Sequence, residues 1–264
     1  MINNISFEVH PSEIVGILGP NGSGKSTLLK LANGLLKPHS GKVSINNQNI
    51  VDRKTSSIAR ELILTLQFSR QQFFSSSVEK ELMVTLGLHV KNKLEREEHL
   101  EKLLNKFELM ELRHQHPYIL SGGEQKRLAL AVAFAGPSAS IFLLDEPTAN
   151  IDRKNLELLK STIKTMKNQG KSFMIVSHDI EFQLTLCDRI VILNNGTIQF
   201  IGTPFQLLTE VDKNKREFFE IPQIYSFVQL LEKEYSSNAL LSDYLSQSSF
   251  EEKVNLISTT LIGK

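Results

Sequence analysis

The chain has 264 residues, with 30 Lys plus Arg against 29 Asp plus Glu and a single cysteine, Cys187. That length suits one large α/β domain, or one domain with a tail, and is ample for a core. The near-balanced charge argues against a nucleic-acid groove or a polybasic membrane arm, and one cysteine excludes an internal disulfide and fits a reducing cytosol.

In chain order, MINNISFEVH carries no basic-then-apolar signal pattern, and its ISFEVH part alternates like a strand. EIVGIL (13–18) is a continuous apolar run, as expected of a buried parallel strand. A helix is expected from about Lys25 to Gly34, then a strand pair or hairpin arm in GKVSINNQNI and a further buried strand in LILTLQ (62–67). Residues 78–116 turn rich in Glu, Lys, Leu and His at helical spacing and read as a helical insert. The uncharged run 128–144, LALAVAFAGPSASIFLL, is broken by Gly136, Pro137 and two serines. It therefore reads as a helix, a turn and a buried strand rather than a membrane span, which needs about 20 apolar residues. Strand 141–145, a helix over about 153–168, strand 172–177 and a short helix follow. Asn195-Gly196 then joins two apolar runs as a hairpin turn, because both residues tolerate positive φ. Thr203-Pro204-Phe205-Gln206 reads as a capping box that starts a helical tail.

Chemistry enters at residues 19–27. GPNGSGKST fits G-x-x-x-x-G-K-[ST] between a strand and a helix, so Gly19, Pro20, Asn21, Gly22, Ser23, Gly24, Lys25, Ser26 and Thr27 are candidate nucleotide-binding residues. Glycines let backbone N–H groups converge on phosphate oxygens, and the helix dipole points its positive end at the same anion. Lys25 suits the β and γ phosphates of ATP, and the Ser26 hydroxyl suits Mg²⁺. Hydrolysis further needs a metal-anchoring carboxylate and a group to polarise water. IFLLDEPTANID supplies both at the carboxyl end of a strand, where ligands of open α/β sheets bind: Asp145 for Mg²⁺ and Glu146 for the attacking water. An ordinary glycine turn and a solvated acidic pair are the bland alternatives.

The phosphate loop, LSGGE (120–124), LLDEPTANID (143–152) and VSHD (176–179) occur in the order of the motifs in ATP-binding cassette (ABC) ATPases, which the chain resembles over residues 2 to about 210. The resemblance implies a phosphate-loop NTPase α/β fold: a RecA-like core with an antiparallel β subdomain, an inserted helical subdomain over about 78–136, and a helical C-terminal extension over 211–264. It also implies that Ser121, Gly122 and Gly123, a second anion nest at a helix start, close over a nucleotide held by another subunit. His178 then matches the switch histidine, Asp152 the aspartate that reaches across the dimer, and Gln67 the glutamine that senses Mg²⁺ and water. ANID departs from the usual small-residue pattern ahead of that aspartate.

LQFSRQQFFSSSVEKEL (66–82) is similar to the corresponding loop in the ATPases of energy-coupling-factor (ECF-type) importers of vitamins and of cobalt or nickel ions, although Ser69 stands where proline is common. FFEIPQIYSFVQLLEKEY (218–235) resembles their C-terminal segment. The likeness implies a second ATPase subunit, identical or related, a transmembrane coupling protein and a substrate-binding membrane subunit as partners. It also implies a peripheral place on the cytoplasmic face of the membrane and no nucleic acid. Phe68, Phe73 and Phe74 are expected to offer an apolar surface to a membrane partner, or else to pack in the core. Family members begin with a strand whose aromatic stacks on adenine; Met1 aligns after it, so the start lies upstream, the chain is truncated, or adenine is held otherwise. A soluble ABC ATPase and a weakly active regulatory subunit are the other readings.

Overall fold

The computed structural model describes residues 2–65 and 73–210. Gln67, Phe68 and Ser69 lie outside the described residues, as do the expected helical tail and C-terminal extension over 211–264.

Six strands form one sheet: β1 (Ile14–Leu18), β4 (Leu62–Thr65), β5 (Ile141–Asp145), β6 (Ser172–Val176), β7 (Arg189–Asn194) and β8 (Thr197–Gly202), in the order β4-β5-β6-β1-β7-β8. All neighbours pair parallel except β8, which returns antiparallel to β7. β1 is a continuous apolar run, and β5 and β6 are apolar apart from Asp145 and Ser172 at their ends, because both sheet faces are covered. Alternation shows which face each side chain serves. Phe142, Leu144, Phe173, Ile175, Ile190 and Ile192 join one core, whereas Leu143, Met174, Val176, Val191 and Leu193 join the other.

The second core lies under α1 (Lys25–Ala32), α2 (Thr55–Glu61) and the short hairpin of β2 (Ser44–Ile45) and β3 (Gln48–Asn49). Asn46 and Asn47, both at positive φ, make that hairpin's turn. The first core extends into α3 (Val78–His89), α4 (Lys93–Lys106) and α5 (Gly122–Ala133), with two 3₁₀ turns between α4 and α5. Phe107 at the end of α4 stacks on Phe134, Phe134 meets Phe142 on β5, and Phe142 stacks on Phe173 on β6. This run of rings ties the helical insert to the sheet, each buried ring contributing about 1.5–3 kcal/mol. The uncharged run 128–144 is a helix end, a turn and β5, as its composition predicts. Among the described residues no helix is long and apolar enough to cross a membrane.

α6 (Arg153–Asn168) and α7 (Ile180–Leu186) pack on the first face, and α8 (Pro204–Glu210) follows β8. The Thr203 and Gln206 side chains exchange hydrogen bonds with each other's backbone N–H, so the capping box is present. Asn195 and Gly196 take positive φ in the β7–β8 hairpin.

One expected strand does not form. ISFEVH keeps its alternation, with Ile5, Phe7 and Val9 packed on the second core and Ser6, Glu8 and His10 exposed, yet it is not a strand. A strand needs a neighbour of matching length, and β2 and β3 present two residues each.

Candidate functional site

The sheet order brings three strand ends together. β6 lies between β5 and β1, and the register sets Asp145 opposite Val176 and Ile17 opposite Val176. The segments leaving β1, β5 and β6 therefore emerge side by side at the carboxyl edge. They carry the phosphate loop, Asp145-Glu146 and His178.

Residues 19–24 form the loop and Gly24, in the left-handed region at φ 105°, caps α1. Gly19 has no room for a side chain: a Cβ there would sit 2.0 Å from the Leu193 carbonyl oxygen. A Cβ on Gly22, also at positive φ, would meet nothing within 4 Å, which leaves open space over the loop. Ser23 is buried and its Oγ has no hydrogen-bond partner among the described residues. Pro20, Asn21, Ser26 and Thr27 flank this cradle on the loop and the first turn of α1, all at least partly open to solvent. Lys25 Nζ donates to the carbonyls of Gly19 (2.7 Å) and Pro20 (3.0 Å). Burial pushes its ammonium below the usual lysine range, while the Glu146 and Asp145 carboxylates work the other way. A cation held against two loop carbonyls beside two carboxylates is what a polyphosphate with its counter-ion would meet.

Asp145 ends β5 and is buried, and its Oδ1 has no hydrogen-bond partner among the described residues. Glu146 follows at φ +50°, a left-handed conformation rare for a non-glycine residue and a mark of stored strain. The His178 N–H donates to Glu146 Oε2 at 3.2 Å. His178 Nε2 stands 3.3 Å from Oε1, within ion-pair distance but without hydrogen-bond geometry. Burial pushes the Glu146 carboxyl above its usual range, partly offset by His178 and Lys25. A mostly buried carboxylate with one oxygen that takes no hydrogen bond among the described residues can accept a proton from water at this edge.

The unpartnered Ser23 and Asp145 oxygens and the open face at Gly22 fit a nucleotide and its metal. Among the described residues no group of three His, Cys, Asp or Glu side chains could hold a metal alone. One carboxylate and one hydroxyl beside phosphates is instead the usual setting for Mg²⁺.

Ser121 caps α5, and its hydroxyl and N–H share Glu124 Oε2 while it accepts from the Glu124 N–H. A Cβ on Gly122 or on Gly123 would meet nothing within 4 Å, so these glycines face open space rather than this chain. Asp152 caps α6: its two oxygens accept from the Asn155 N–H and Nδ2, and these bonds hold its carboxyl below the usual range.

Residues 2–149 match the family described as ABC transporter. The chain is a member of the ABC transporter family. This ABC ATPase is 36% identical over 242 residues to the energy-coupling factor transporter ATP-binding protein EcfA2 of Caldanaerobacter subterraneus subsp. tengcongensis, covering 88% of this chain and 82% of the relative. It is 31% identical to EcfA2 of Clostridium perfringens, over 87% of this chain and 82% of that one. Among solved structures it is similar to cbiO1 of Clostridium perfringens, part of the ABC transporter complex cbiONQ (TM-score 0.71, 25% identity, 86% of this chain and 92% of that one). A dimeric post-hydrolysis state of the cassette MJ0796 bound to ADP and Pi gives a TM-score of 0.69 at 27% identity, covering 77% and 90%.

Several contacts in this ABC ATPase were not assigned from the sequence. Thr148 Oγ1 and Ser177 Oγ lie 2.6 Å apart, joining the segment after β5 to the one after β6. The buried Glu81 carboxylate accepts from the Phe74 and Ser75 N–H groups. A glutamate in the first turns of a helix, a few residues past a serine run, is the only sequence signal for it.

The paired phenylalanines divide. Phe73 is buried in the first core, the second of the two readings given for it, while Phe74 is 74% exposed. The Tyr118 hydroxyl donates to the Phe73 carbonyl at 3.0 Å.

Proposed function

We propose that this ATPase powers an ECF-type importer of a vitamin or a transition-metal ion, working peripherally on the cytoplasmic face of the membrane. Its partners on this reading are a second ATPase subunit, a transmembrane coupling protein and a substrate-binding membrane subunit. The carrying observation is the apolar rim formed by Phe74, Tyr118 and Ile119, each more than half exposed. An exposed Phe74 on a segment braced by the buried Glu81 carboxylate, beside exposed Tyr118 and Ile119, suits a groove for a partner helix.

In the proposed cycle, residues 19–27 hold the triphosphate and Ser26 with Asp145 would hold Mg²⁺. Bound there, Mg²⁺ would neutralise charge on the β- and γ-phosphate oxygens. Glu146 accepts the proton of the attacking water, and His178 holds Glu146 in place. Ser121, Gly122 and Gly123 complete the pocket of the second subunit, so hydrolysis requires two chains. Gln67 is the proposed sensor of metal and water, and Asp152 the residue presented to the opposite subunit.

Phe74→Ala tests the docking role. Because Phe74 is exposed, the variant is expected to fold and bind ATP normally. Losing an aromatic anchor weakens binding by about 2 kcal/mol or more, roughly thirtyfold in affinity. Co-purification with native membrane proteins should therefore drop sharply; unchanged recovery would contradict the docking role.

A further inference from the structure

Lys126 sits on α5, one turn beyond the Ser121-Gly122-Gly123 nest, and its side chain is half-buried rather than solvated. Its Nζ donates to the Ala149 carbonyl at 2.7 Å. Ala149 lies in the turn between β5 and α6, three residues past Glu146, and its own N–H donates to the Glu146 carbonyl. The same turn is stitched on its other side by Thr148 to Ser177, whose Oγ accepts from the Asp179 N–H beside His178. The turn is strained as well, with Glu146 and Asn150 both at positive φ. It thus has two side-chain anchors, one to the strand end bearing His178 and one to the helix bearing the glycine nest.

We propose that Lys126 is a positioning residue that couples the glycine nest of α5 to Glu146 of the same chain. The inference rests on the two-chain reading above. In a sandwich of two chains, the α5 nest serves one nucleotide and Glu146 serves the other. A contact joining α5 to the Glu146 turn then links the two nucleotide sites through one polypeptide. When a nucleotide engages the nest and α5 shifts, Lys126 carries the shift to the turn that aims Glu146. Burial brings the ammonium down to about 8, as expected for a lysine spent on an internal contact. A half-buried donor held on a carbonyl of that turn couples the two segments through a physical contact that a solvated lysine does not make.

The test uses Lys126→Met and Lys126→Arg in the full chain, with kcat and KM for Mg-ATP measured separately and melting followed alongside. Met keeps the length and apolar stem but removes the donor; Arg keeps a donor. Lys126→Met should lower kcat roughly ten- to a hundredfold with KM within about twofold, since misplacing a catalytic group costs rate and spares ground-state binding. Lys126→Arg should recover most of that loss. The inference is overturned if Lys126→Met turns over at the wild-type rate. It is equally overturned if kcat, KM and melting temperature worsen together without recovery in Lys126→Arg, which marks a purely structural lysine. Gly123→Asp, assayed in parallel, separates the two claims. Loss of turnover there with wild-type kcat in Lys126→Met removes the coupling role alone, and full turnover in Gly123→Asp removes the two-chain reading beneath it.

Discussion

Glu146→Gln should bind Mg-ATP with near wild-type affinity and lose turnover by roughly 10²–10⁴-fold, the usual worth of a positioned acid–base group. Gln fills the same volume, and its amide oxygen can still accept from the His178 N–H that holds Glu146 Oε2 at 3.2 Å. What it cannot do is take a proton. The carboxyl is already pushed above the usual range by burial, which brings it closer to the pH at which a base works well. The same shift gives a pH signature: wild-type turnover should fall as pH drops through the raised Glu146 value, where the base becomes protonated. Single-turnover hydrolysis alongside nucleotide-binding titration checks both statements. Turnover retained in Glu146→Gln would remove Glu146 from the chemistry.

Gly123→Asp should leave the chain folded and able to bind ATP through its own phosphate loop, yet hydrolysis should fall by about 10²–10³-fold, the cost of losing a preorganised anion-stabilising donor set. The first half follows from space: a Cβ at Gly123 meets nothing within 4 Å, and its backbone carries no positive φ that would penalise a side chain. Asp in the first turn of a helix also favours the helix dipole. The second half follows from charge, because a carboxylate placed in an anion nest repels a γ-phosphate. A glycine whose replacement is harmless to its own fold but fatal to turnover has its neighbour on another molecule. Melting temperature and ATP turnover measured on one preparation check the two halves together. A matching fall in both would make Gly123 structural.

Continuous apolar runs were the most legible part of the fold. IFLLD ends at Asp145 as β5 because a run buried on both faces leaves no ambiguity about where the first carboxylate emerges. The Asn195-Gly196 hairpin and the Thr203–Gln206 box were readable because turn and cap chemistry is local. ISFEVH was misread for the complementary reason: alternation reports which side chains are buried, whereas a strand also needs a partner backbone. Phe73 and Phe74 are identical in sequence terms, and what separates them is packing against a core drawn from distant positions, with the Tyr118 hydroxyl on the Phe73 carbonyl from 45 positions away. Asp152 shows a third limit. The family likeness assigns it a reach across an interface, while within the chain its oxygens cap α6 through Asn155, a local role that Asp-x-x-Asn spacing could have signalled. Lys126 lies two residues past LSGGE, and its contact with Ala149 bridges 23 positions and has no sequence signature.

A nucleotide pocket built from two chains is tested most directly by ATP turnover on size-separated fractions whose mass is determined by light scattering in the same run. All hydrolysis should travel with fractions containing two ATPase subunits, and the single-chain fraction should bind nucleotide without turning it over. Full-rate hydrolysis in the single-chain fraction, undiminished by Gly123→Asp, would contradict it.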